Sequence, residues 1–214
     1  MAATPPEPSD GRTTSSVDRI RNAALRCFAS RGASATSLRM VAAEAGVSLG
    51  MVQHHFTTKA GLIRAVDDYV LAVVSETLAQ PIPEPPADSI ADFGGRVTRL
   101  IAAHPDAVGY VGRALTDGSA LGSQLFDELV EIGAQRWKAR EKHGLTRPDL
   151  DPIWGVLNPL VLALGTWVLR THIERHLPEP LATPAQLQRW RAAVDALVRD
   201  GQLRHRPGRD AGDT

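Results

Sequence analysis

The sequence has one cysteine, Cys27, in 214 residues. That excludes an internal disulfide framework and any zinc or iron–sulfur centre built on several thiolates. It has no net charge, because 24 basic side chains face 24 acidic ones. A uniformly basic nucleic-acid coat and an acidic solvating chain are both excluded, so any nucleic-acid surface must be a local patch. It also lacks a long apolar run: nothing approaches the ~18 residues that a membrane-spanning helix needs. The opening residues, Met1 to Pro8, carry neither a basic stretch nor an apolar one, so no signal peptide and a cytoplasmic protein are expected. Alternating strand patterns of useful length, repeats and sustained heptads are missing too, and the reading is all-α. What is present is ample apolar content, 43% of residues, enough for a buried core.

The charge is unevenly spread. Residues 12–70 hold eight basic and four acidic side chains, so the N-terminal third is positive and the remainder is negative by the same amount. This is the footprint of a nucleic-acid-binding head on a neutral chain. Residues 1–15, rich in Pro, Thr and Ser, are expected to form a disordered arm, and 204–214 a loose tail. Between them the periodicity predicts helices throughout. Ile20, Ala24, Cys27 and Phe28 recur at helical spacing before Gly32. Leu38, Val41, Ala42 and Ala45 make a second short face, closed by Gly46. Ser48–Phe56 makes a third, and a longer amphipathic helix starts near Thr58 and ends near Gln80. The prolines of 81–86 are a hard boundary. Beyond them Ser89 is read as an N-cap, helices are expected over about 89–103, 106–115, 121–143, 153–173 and 184–199, and Asn158-Pro159 should kink or restart the most apolar of these.

Thr36 to Phe56 carries the functional argument. Two short helices around Gly46-Val47-Ser48 make a helix-turn-helix, with Thr36 and Ser48 read as the two N-caps. Free N–H groups and positive dipole ends at those helix starts favour phosphate oxygens. Leu49, Gly50, Gln53 and His54 fall on the outer side of the second helix. Gly50 would let backbone approach a groove closely, and Gln53 can donate and accept together, the geometry that reads an adenine edge. Lys59 follows as a point charge for phosphate.

At these positions the chain resembles the TetR family of one-component bacterial repressors. The likeness runs through Ala23-Ala24, Phe28, Gly32, Thr36-Ser37-Leu38, Val41-Ala42, Ala45-Gly46-Val47-Ser48, Gly50, His55-Phe56, Lys59 and Leu62, about one quarter of the chain, with Leu164 to Arg170 similar to a penultimate helix of such proteins. It departs at Gln53, where the family usually has a tyrosine, at Leu49, where a lysine is common, and at Met51, which replaces a small polar residue. Carried over by position, the resemblance implies phosphate contacts from Thr36, Ser48, His55 and Lys59. It implies base contacts from Gly50, Gln53 and His54, with Arg39 as a further contact and Ser37 and Leu49 on the same surface.

The expectation is therefore a head at about 16–60 and a helical effector-binding and dimerisation region at 61–203. The implied function is a ligand-released repressor that binds a palindromic operator as a homodimer, with recognition helices about 34–36 Å apart. The dimer face is expected on 153–175 and 184–200, whose apolar content exceeds the needs of one surface helix. An effector pocket is expected among the helices of 89–143, with Phe93, Leu100, His104, Tyr110, Phe126 and Trp137 as candidates. The effector is an unknown small molecule, and no cofactor, metal or membrane is expected. The alternatives are an effector-independent architectural DNA-binding protein and a helical enzyme, although no convergent acid, base or nucleophile set is visible. His54-His55 and the His172/His176 pair lack the partners of a metal site, and Cys27 lies on an apolar helix face.

Overall fold

In a computed structural model, residues 15–83 and 88–203 are described. The expected arm lies outside them except for Ser15, as do the tail and the prolines Pro85 and Pro86. Helix α1 spans Ser16–Arg31, α2 Leu38–Ala45, α3 Leu49–Phe56 and α4 Lys59–Leu78. Each start is capped by a hydroxyl. Ser15 accepts from the Asp18 N–H, Ser37 from Met40, Ser48 from Met51 and Thr58 from Gly61. Thr36 is therefore not the cap it was read to be. It is 2% exposed, and its hydroxyl donates to the Gly32 carbonyl at 2.9 Å, tying the α1–α2 loop from inside. Gly46 ends α2 at φ 65°, a left-handed conformation that a Cβ would resist. Arg19 of α1 donates to the Ala45 carbonyl at 2.8 Å, so the turn is held from both sides.

The body begins with α5 (Ser89–Ala103), capped by Asp88 rather than by Ser89: the Asp88 carboxylate accepts from the Ile90 and Ala91 N–H groups. Hydrogen bonds from these amides and from Arg199 outweigh its desolvation and hold that carboxyl below the usual range. Then come α6 (Pro105–Thr116), α7 (Ala120–Lys142), α8 (Pro152–Val168), the short α9 (Arg170–Ile173), a 3-10 turn at Glu174–His176, and α10 (Pro184–Gln202). Helix α10 runs on through Gly201 to Gln202, three residues past the expected end at 199.

Asn158-Pro159 does not break α8. Proline lacks an N–H, so the carbonyl four residues earlier, on Gly155, loses its helical partner. The Gln202 amide, from the end of α10, donates to that carbonyl at 2.6 Å in a buried setting. The break comes instead at Leu169, where the chain bends by 69° between Pro152–Val168 and Arg170–His176. No single helix among the described residues is long and apolar enough to cross a membrane.

One hydrophobic core runs from head to body without interruption. Ile20, Ala24, Phe28, Val41, Val52 and Leu62 belong to the same cluster as Val70, Leu100, Tyr110, Leu125 and Leu160. A smaller cluster of Ile101, Trp167, Leu181 and Leu187 anchors the segment between α8 and α10. Helix α4 carries the core across, since Leu62, Val66, Val70, Val73 and Val74 are all buried along one side.

Candidate functional site

The head turns one helix outward. In α3 only Val52 is fully buried, while Gly50, Gln53, His54 and His55 are exposed and Leu49 is half-buried. Positions 49, 50, 53 and 54 share a helix face by their spacing of three and four, opposite Val52. Gly50 is not required by the protein's own packing: a Cβ there would meet nothing nearer than the Ser48 hydroxyl at 3.9 Å.

The other sequence-based candidates surround this helix. Ser37 and Ser48 are exposed N-caps, and Arg39 is exposed on α2. His55 is exposed, but its Nε2 and the Ser16 hydroxyl are hydrogen-bonded at 3.0 Å, which fixes the C-terminal end of α3 to the start of α1. Lys59, the first residue of α4, donates to the Ser34 carbonyl at 3.0 Å and so brings the start of α4 to the loop before α2. None of α2, α3 and α4 has an acidic residue in its first turn, so their positive ends stay uncompensated from within. Thr36 is the exception among the candidates: buried below this surface, it cannot reach a phosphate and acts on the loop conformation.

The turn after α3 holds an unusual residue that sequence reasoning missed. Thr57 has φ 51°, a conformation that a β-branched side chain rarely adopts. The chain must reverse within two residues here, and Gly61 makes room, since a Cβ on it would sit 2.7 Å from the Phe56 carbonyl oxygen.

The body contains two adjoining apolar cavities of about 90 and 80 Å³. They share Phe93, Val97, Leu160, Ala163 and Trp190 as a common wall. Of the expected pocket residues, Phe93 lines both and Leu100 lines the second. The other four do not line either. His104 sits at the α5–α6 corner. Tyr110 turns toward the head, where its hydroxyl donates to Asp67 at 2.8 Å and its ring lies 6.0 Å from Phe28. Trp137 is buried beneath Gly155, and Phe126 is half-buried on α7. The walls come not from 89–143 alone but also from α8 and α10, through Val156, Pro159, Leu160, Val194 and Val198.

Between cavity and head lies α6. Its Val108 and Val111 line the second cavity, and its Arg113 donates to the Ser30 carbonyl at the end of α1 at 3.1 Å. Burial, helped by the neighbouring Asp68 and opposed by the Tyr110 hydrogen bond, raises the Asp67 carboxyl, and burial with that bond raises the Tyr110 hydroxyl, which keeps its proton at neutral pH.

A capped helix-turn-helix on an all-helical body with its own cavities defines the fold class: an all-helical chain with an N-terminal helix-turn-helix. Residues 20–66 match the family described as bacterial regulatory proteins, tetR family. Two curated relatives from Mycobacterium tuberculosis agree. The HTH-type transcriptional regulatory protein RaaS is 28% identical over 135 residues, 63% of this chain and 61% of that one. The HTH-type transcriptional repressor Rv3405c is 36% identical over 115 residues, 53% of this chain and 54% of that one. The chain thus spans between half and three fifths of the length of these relatives, which are named as transcriptional regulators and not as enzymes. The fold is similar over nearly the whole chain to that of the ketosteroid transcriptional regulator KstR2 of Mycobacterium tuberculosis, with a TM-score of 0.64 at 20% identity, covering 91% of this chain and 98% of that one. It is equally similar to SmeT, the repressor of the Stenotrophomonas maltophilia multidrug efflux pump SmeDEF, with a TM-score of 0.67 at 18% identity, covering 92% and 96%.

Proposed function

We propose that this protein is a cytoplasmic transcriptional repressor that binds a palindromic operator as a homodimer and is released by a small molecule. The observation that carries the DNA reading is the outward face of α3: Gly50, Gln53 and His54 stand exposed beside the capped helix starts at Ser37 and Ser48, and Gly50 has no packing role of its own. Helix α3 would enter the major groove, with Gln53 and His54 on base edges. Ser37, Ser48, His55 and Lys59 would take phosphates, Lys59 at the positive end of α4, where an anion relieves the clash of a cation with the helix dipole. Arg39 and Leu49 flank that surface.

The dimer reading rests on α8 and α10. Ile153 is 67% exposed, Trp154 56% and Leu197 63%, and Val161 and Leu169 are likewise open, an apolar surface that a single copy leaves to water. Two copies joined there would bury it in a four-helix arrangement. The effector reading rests on the two cavities and on α6, which touches both a cavity and the end of α1. A ligand that prefers one spacing of the paired heads would shift DNA affinity by that preference alone.

The test is a mobility shift with the DNA upstream of the protein's own gene. The wild type should form a discrete complex that salt weakens steeply. Gly50→Val should abolish it while leaving the melting curve near that of the wild type, because no atom of the chain occupies the space a side chain would fill. Retained specific binding by Gly50→Val would refute the close approach of α3 to a groove.

A further inference from the structure

We infer that the larger cavity, between α5, α7, α8 and α10, takes a small organic monoanion: a carboxylate on an apolar chain or ring, its head on Arg140 and Arg136. This deepens the effector reading above and depends on it only for the effect on DNA. Its basis is a charge imbalance in an apolar wall. Phe93, Val97, Val156, Leu160 and Val194 supply the apolar lining, while the charged lining residues are Arg136, Arg140, Arg191 and Asp195. Asp195 is engaged by Arg191 at 3.4 Å. Arg136 reaches Asp92 at 3.4 Å, but Asp92 is already shared with Arg96 at 2.9 Å. Arg140 has no carboxylate within ion-pair distance among the described residues; its guanidinium donates to the Gln202 amide oxygen at 3.3 Å.

The Nε atoms of both Arg136 and Arg140 are buried without a hydrogen-bond partner among the described residues. Burial and the neighbouring Arg136 push the Arg140 guanidinium down to about 10, still protonated at neutral pH. A half-buried cation with no carboxylate partner is costly, and one lining an apolar cavity is suited to an incoming anion. Gln202 cannot turn to replace the anion, because its amide nitrogen is committed to the Gly155 carbonyl beside Pro159. The apolar part of the ligand would extend past Phe93 and Trp190 toward the second cavity, whose lining is entirely apolar but for the indole nitrogens.

The experiment titrates the full chain with hexanoate, octanoate and decanoate, and with octanol and octylamine as controls, following tryptophan fluorescence and calorimetry. At least one acid should bind saturably and roughly tenfold more tightly than octanol, the scale of one charge-assisted contact, and octylamine should not bind. Arg140→Met should bring octanoate and octanol within about twofold of each other by removing that contact, while Arg140→Lys should keep the preference for the acid. The Arg140→Met protein should melt near the wild type, because the loss of its hydrogen bond to Gln202 is offset by the loss of a half-buried cation with no carboxylate partner among the described residues. No binding by any acid, or equal binding of acid and alcohol by the wild type, overturns the inference. DNA release is scored separately. An acid that binds without releasing DNA supports the anion site and counts against the effector reading; DNA binding that a different, neutral effector releases, with no acid bound, does the reverse.

Discussion

Head and body are built to different tolerances. In the head, Ile20, Ala23, Ala24, Val41 and Val52 are completely enclosed, and all four helix starts are capped by their own hydroxyls. Apart from the buried Thr36 hydroxyl and the unpartnered Arg21 Nε, its polar chemistry points outward. The body instead keeps two cavities, buries the Arg96 and Arg136 guanidinia, and leaves the Trp137 indole nitrogen and the Arg136 and Arg140 Nε atoms without hydrogen-bond partners among the described residues. A reader of fixed geometry profits from a core with one packing. A region that must accept a guest profits from space and from polar groups not yet satisfied.

That contrast can be broken by substitution. The largest effect is expected from Phe28→Ala, which empties the centre of the head and should cost ~3–5 kcal/mol, read as a lower chemical-denaturation midpoint. Next, one change made in both regions separates them. Ala24→Leu should overpack the head and cost ~1–3 kcal/mol, whereas Ala163→Leu, in the wall shared by both cavities, should be neutral or stabilising; equal losses would erase the distinction. Gln202→Ala should cost ~1–3 kcal/mol by leaving the Gly155 carbonyl buried and unpaired, with a larger loss than Gln53→Ala, whose side chain is exposed. Gln53→Ala should leave melting unchanged and relax preference at one operator position by ~1–3 kcal/mol. The smallest effect is expected from Lys59→Ala, which should weaken binding to all sequences alike and lower the slope of log affinity against log salt by about one.

The head was largely legible in the sequence. Gly32 and Gly46 stop α1 and α2 where they stand in the chain, and Ser48 caps α3 as its position suggests, because caps and stops are local chemistry. The exception is the cap of α2, read as Thr36 and found at the adjacent Ser37. The choice depended on the Gly32 carbonyl, which takes the Thr36 hydroxyl inside and leaves Ser37 as the cap.

In the body the local signals misled. Pro159 reads as a kink or a restart; α8 runs on through it, and the carbonyl it frees is taken by Gln202, 43 residues further along the chain. The cavity residues were sought in 89–143, but half of the wall belongs to α8 and α10, and Tyr110, a pocket candidate by its position in the chain, is turned toward Phe28 and Asp67. The sequence reading singles out neither Arg136 nor Arg140. Only their burial against α5 and α10 distinguishes them, and no periodicity records that.

The unbroken apolar cluster that passes along α4 from Ile20 to Leu160 has a thermodynamic corollary. Two halves that share one interior have no separate melting points, so calorimetry should record a single endotherm for both. A perturbation of the interior near Leu100 is then paid in the same cooperative unit that holds Val52 in place, with no soft hinge between them to absorb it.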